Sequence, residues 1–279
     1  MKIIDTYNDI FSVYKNDKFN MDLWQKYAEN ISNELKKSVE QDADRYDFVN
    51  QCLPVLNNLI ENKQIAETAH NSFLKVTENL SQKIIDAFGV DLDVTIVFYL
   101  GLCNGAGWAT KLGEKPAVLL GIEKIVELNW CDENNMTALI YHELGHIWHF
   151  LFELKKKLPL TAKETAIRQL YREGIAMTFE QILCNDSDFF HQNISGWLDW
   201  CKANESAIKS EYLRRMENKE SVQDFFGDWE SYKGHSDVGY FLGSRFIRYM
   251  MQEYSLQEIA GFKIKTVYKK FREYVKTEN

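Results

Sequence analysis

Residues 137–150 read TALIYHELGHIWHF, and the rest of the chain is best read outward from them. On an α-helix His142 and His146 stand one turn apart on one face, so their imidazoles can share a single cation. Zn²⁺ in catalytic proteins takes three protein ligands and keeps a fourth position for water, whose pKa it lowers toward about 7. Glu143 adjoins the first of these histidines, where a carboxylate can take a proton from water and later return it to a leaving amine. The flanks suit a helix. Ala138, Tyr141, Leu144, Ile147, Trp148 and Leu151 have helical apolar spacing; Asn134, Asn135 or Thr137 can cap the start; Asp132 and Glu133 favour its positive end, and Lys155, Lys156 and Lys157 its negative one. Gly145 costs such a helix about 1 kcal/mol relative to Ala, which points to a close approach there.

A bend at Leu158-Pro159 ends this helix, and Thr161 with Glu164 forms a capping box that opens the next. If the second helix packs back antiparallel, Glu173 comes level with His146 and becomes the third ligand. Gly174 beside it removes a side chain where the two helices must approach. His149 lies on nearly the face of His142, but seven residues is a rise of about 10 Å, too far for both to reach one ion. It reads as packing or as support for a ligand. His70 has no second ligand near it in the chain and reads as a solvated or capping side chain.

The pattern His142-Glu143-x-x-His146, followed on the next long helix by Glu173-Gly174-x-Ala176, resembles the gluzincin branch of the zincin metallopeptidases, and within it the bacterial families of predicted zinc-dependent proteases. The resemblance covers about Asp91 to Cys184 and reaches the Gly239–Gly243 run, without the N-terminal helices. It implies one Zn²⁺ held by His142, His146 and Glu173, Glu143 as general base, and a peptide or protein substrate. It also implies a small sheet above the metal helix, whose edge strand pairs with an extended substrate through its backbone. Ala117 to Ile122 is the stretch chosen for that edge. Gluzincins steady the oxyanion with a Tyr or His from the C-terminal half, which makes Tyr240 the first candidate here and His235 the second. Where some gluzincins carry a supporting carboxylate one turn beyond the ligand Glu, this chain has Met177, so Glu180 is the nearest substitute. Gluzincin aminopeptidases bind a free amine through a glutamate on the sheet; none stands between Asn104 and Thr110, which favours internal cleavage.

With 279 residues, 45% hydrophobic and 14% aromatic, the chain can bury a substantial core. A net charge of −8 argues against a general nucleic-acid binder. Asp5, Asn8, Asp9 and Lys15 interrupt the first apolar run, and no stretch approaches the roughly 18 apolar residues of a membrane span, so a cytoplasmic location is expected. Five scattered cysteines without CxxC spacing read as reduced thiols in ordinary packing.

The expected fold class is α+β, predominantly helical and zincin-like, with a small sheet packed on the HExxH helix. Residues 1–88 read as an N-terminal helical segment of three helices, with Pro54 in the first turn of the second or at a kink. Residues 89–279 read as the catalytic domain, with sheet and metal helix in 89–160 and a helical half in 161–279. Asp91 to Leu100 and Pro116 to Glu123 read as strands, the glycine-rich stretch between them as a loop, and Trp108 in it as part of a side-chain pocket or as a core plug. Asp186 to Glu220 reads as helical with a core aromatic stripe. Ser255 with Glu258 caps another helix, and Val267 to Val275 forms a basic amphipathic end. Two rivals to a hydrolase stand: a catalytically silent zincin-fold regulatory or peptide-binding module, and a helical interaction protein in which HExxH is accidental.

Overall fold

The computed structural model describes residues 1–154, 160–227 and 231–277. The expected bend at Leu158-Pro159 and the lysines 155–157 lie outside the described residues. The fold is α+β, mostly helical, with a small mixed sheet. Two compact units divide it, Met1–Ile147 and Trp148–Asn279, so the division falls inside the helix that carries His142 and His146. The N-terminal helices share a unit with the sheet because the first residues of the chain form one of its strands.

In the first unit, β1 (Lys2–Asp5) is followed by α1 (Tyr7–Ile10) and a hairpin of β2 (Tyr14–Lys15) and β3 (Lys18–Phe19). Five helices then replace the three expected: α2 (Met21–Ile31), α3 (Asn33–Ala43), α4 (Leu53–Glu61), α5 (Lys63–Thr77) and α6 (Leu80–Phe88). The breaks are local. Ser32 is extended and its hydroxyl caps α3 by accepting from the amides of Glu34 and Leu35. Asn79 is left-handed at φ 57°, which ends α5 from continuing into α6. Pro54 falls in the first turn of α4, where a missing N–H costs nothing.

The sheet contains β4 (Thr95–Tyr99), β5 (Gly107–Leu112) and β6 (Lys115–Gly121) in the order β1-β4-β6-β5. β1, β4 and β6 run parallel, and β5 turns back antiparallel on β6. Ile96, Val97 and Phe98 of β4 and Val118, Leu119 and Leu120 of β6 are wholly buried. Burial on both faces explains their unbroken apolar runs, and each such side chain contributes roughly 1.5–3 kcal/mol. α2 is tied to the sheet because Trp24 Nε1 donates to the Leu100 carbonyl and the Leu100 amide donates to Tyr27 Oη, both at 2.9 Å. Two sequence expectations are corrected here. The glycine-rich stretch carries a strand, β5, and β5 is the sheet edge, whereas Ala117 to Gly121 lies in β6 with partners on both sides. α7 (Ile122–Glu127) and α8 (Glu133–Phe152) complete the unit, α8 running on into the second.

The second unit is helical, built on α9 (Ala162–Leu183), whose middle is buried on nearly every side from Gly174 to Gln181. The capping box of Thr161 and Glu164 is present at its start. α10 (Trp197–Ala203), α11 (Glu205–Asn218), α12 (Val238–Met250), α13 (Leu256–Ala260) and α14 (Ile264–Val275) follow. Residues 186–196, expected to be helical, form turns, while Trp197, Leu198, Cys201, Ile208, Tyr212 and Met216 are core as the aromatic stripe implied. Ser255 and Glu258 cap α13, and α14 buries Val267, Phe271 and Tyr274 with its lysines outward. Among the described residues no helix is long and apolar enough to cross a membrane.

Candidate metal centre

α8 starts at Glu133, and its cap is Asp132, whose Oδ1 accepts from the amides of Asn134 (2.9 Å) and Asn135 (3.1 Å). A carboxylate outcompetes the downstream Asn and Thr candidates because it also complements the positive helix end. From that start the helix carries His142 and His146 onto one face, with ring centroids 4.8 Å apart and planes at 87°.

The last turns of α8 belong to the second unit and pack against α9. His149 lies edge-on to Tyr171 at 4.9 Å, Phe150 sits under the Arg172 guanidinium at 4.7 Å, and Glu153 accepts from Arg168 Nε at 2.8 Å. These contacts fasten the end of α8 and the residue after it to the first half of α9. One imidazole nitrogen of His142, one of His146 and a carboxylate oxygen of Glu173 all lie within 4.8 Å of one another. Tetrahedral ligands at about 2.0–2.2 Å from one ion stand about 3.4 Å apart, a spacing that falls inside that limit. Two imidazoles and a carboxylate, His142 buried and the other two half-buried, form a donor set suited to a divalent ion such as Zn²⁺. His149 is fully buried against Tyr171 and serves packing.

Glu143 faces the sheet. Its Oε2 accepts from the Ala109 amide at 2.7 Å, which shows that Ala109 directs its N–H away from β6 toward the outer edge of β5. Gly107 makes room for it: a Cβ there would stand 2.7 Å from Leu139 Cδ1, 2.9 Å from Glu143 Cγ and 3.0 Å from Glu143 Oε1. Sequence reasoning missed Ala109, since a backbone amide has no side-chain signature; Gly107 was visible only as one of several turn-forming glycines.

Gly174 adjoins Glu173 and is a point of close approach to α12. A Cβ there would lie 2.5 Å from the Gly243 carbonyl oxygen, and one on Gly243 would lie 2.9 Å from Gly174 Cα. Tyr240 stands one turn before Gly243 on α12, half-buried, with its ring edge-on to Phe226 at 5.7 Å. His235 stacks on Trp200 at 3.8 Å in a turn closed by a bridge to Tyr232, and it does not join the ligand group. Glu180 is two turns beyond Glu173, fully buried, with Oε1 3.9 Å from His191 Nδ1. His70 is engaged, its Nε2 2.6 Å from Asp5 Oδ2 and its ring stacked on Tyr7 at 4.1 Å.

A second carboxylate supports the approach to β5. Glu123 is 1% exposed and accepts from the amides of Gly101 (2.9 Å) and Cys103 (3.0 Å), shaping the loop that enters the edge strand. Burial pushes its carboxyl up to about 7, against those two amides and Lys124, which pull it down. Compared with known proteins, the chain matches no family model, no curated protein and no solved structure.

Proposed function

We propose that this chain is a zincin-like metallopeptidase that hydrolyses peptide bonds with one Zn²⁺ held by His142, His146 and Glu173. The observation that carries this reading is the convergence of those three donors within 4.8 Å, beside a glutamate whose carboxylate abuts the sheet edge. Bound there, Zn²⁺ would supply a Lewis acid and lower the pKa of water toward about 7. The remaining work falls to the chain's own groups. Glu143 holds Oε2 on the Ala109 amide, leaving Oε1 to take a proton from the attacking water and pass it to the departing amine. The outer edge of β5 offers backbone groups to an extended peptide, a mode of binding that ignores side-chain identity. Tyr240 is the proposed donor to the developing oxyanion, because α12 is locked to α9 beside Glu173 at Gly174 and Gly243. His235, held on Trp200, is the weaker choice.

Metal analysis of untagged protein, together with digestion of a peptide library read by mass spectrometry, tests the proposal. About one zinc per chain with cleavage is expected. Zinc without cleavage of any peptide would leave a silent binding module, and no bound metal would overturn the site itself.

A further inference from the structure

The N-terminal helices, which lie outside the resemblance, contribute to the ground beside Glu143. A cavity of about 500 Å³ opens between α3 with the turn after it and the head of β5. Its walls include Asp42, Arg45, Tyr46, Asn104, Gly107 and Trp108. Gly107 is the residue whose missing side chain admits Glu143, and Ala109, two residues on, holds the Glu143 carboxylate. A strand rises about 3.3 Å per residue, so the cavity lies within a residue or two of Glu143 along the edge.

The cavity is built rather than incidental. Asn104 Nδ2 donates to the Val39 carbonyl at 2.9 Å and to Asp42 Oδ2 at 3.1 Å, while its Oδ1 accepts from the Leu102 amide at 3.0 Å. One side chain thereby fixes α3 to the loop that leads into β5. Asp42 is held by this contact with its side chain only 17% exposed. Its other oxygen faces Arg45 Nη1 at 3.1 Å, yet the Arg45 side chain is 75% exposed. With its cation solvated, the pair contributes little stability. Trp108 and Tyr46 add aromatic faces, on which a guanidinium or ammonium stem can lie.

We infer that this cavity is a specificity pocket for a basic side chain, Arg or Lys, of an extended peptide laid along β5, with Asp42 as its anionic partner. The inference rests on the hydrolase reading for what happens to the peptide, and on α3, Asn104 and β5 alone for what the pocket binds. In it Arg45 acts as an internal occupant that an incoming cation displaces.

The test compares wild type, Asp42→Asn and Arg45→Ala on a positional-scanning peptide library. Asp42→Asn keeps an acceptor for Asn104 and removes the charge; Arg45→Ala removes the competitor. Wild type should favour Arg or Lys over Ala at least tenfold at one position within two residues of the cut bond. Asp42→Asn should reduce that ratio to less than threefold, and Arg45→Ala should raise it. A ratio near one in wild type, or one unchanged by Asp42→Asn, overturns the pocket. If wild type cleaves nothing, the hydrolase reading has failed, and fluorescence anisotropy with labelled Arg-containing and Ala-containing decapeptide pools decides the pocket separately. Tenfold tighter binding of the Arg pool, lost in Asp42→Asn, sustains it; equal binding overturns it.

Discussion

The Ala109 amide donates to Glu143 Oε2 at 2.7 Å, joining the outer edge of the sheet to the glutamate between the two histidines. This bond orients a carboxylate that the helix alone would leave to choose among rotamers. It also leads to the first expectation. Glu143→Gln retains an acceptor for Ala109 and removes the proposed base, so turnover should fall by about 10²–10⁴-fold with zinc content unchanged. Parallel measurement of peptide hydrolysis and bound metal checks it; a fully active Gln variant would refute the general-base role.

Glu173→Gln replaces a charged donor by a weak neutral one on an otherwise unchanged α9. Groups that merely support metal ligands are worth about 10–100-fold in affinity, so loss of the proposed ligand should cost at least 100-fold. Competition with a chromophoric chelator measures this. Undiminished affinity would show that Glu173 does not bind the ion.

Gly107→Ala places a Cβ 2.9 Å from Glu143 Cγ, inside contact distance. The other close atom, Leu139 Cδ1, is the end of a flexible side chain and can move, so stability should change little. Displacing a reacting group by about 1 Å can cost roughly 10²-fold in rate. Turnover should therefore fall by about 10–100-fold with metal retained, and rates normalised to zinc content test it.

Gly174→Ala sets a methyl 2.5 Å from the Gly243 carbonyl oxygen, where the obstacle is backbone and cannot rotate away. Overpacking of this kind costs about 1–3 kcal/mol, which predicts a melting temperature lower by roughly 2–12 °C. A melting temperature equal to that of wild type would show that α9 and α12 do not meet there.

The Glu123 carboxyl, at about 7 in the folded chain against an ordinary value of 4.5, binds its proton more tightly when folded. Its contribution to stability is therefore present below about pH 4.5 and is lost as pH rises to about 7, by roughly 3 kcal/mol in all. Glu123→Gln should flatten that part of the profile, gaining on wild type between pH 5 and pH 8. Urea unfolding at the two pH values reads the difference, and parallel profiles would exclude the effect.

What the sequence determined by itself is what neighbours along the chain decide. The four-residue step from His142 to His146 makes about one helical turn wherever the helix packs, and Thr161 with Glu164 or Ser255 with Glu258 cap their helices locally. The apolar runs of β4 and β6 announced buried strands for the same reason. Strand order was not legible, because glycines in 101–113 read as turns until β6 supplied the partner that made 107–112 an edge strand. Nor could the chain show that Gly174 approaches Gly243, or that Asp42 meets Asn104 near Gly107. Those relations join residues tens of positions apart, and only the packing of whole elements settles which of many possible partners each one meets.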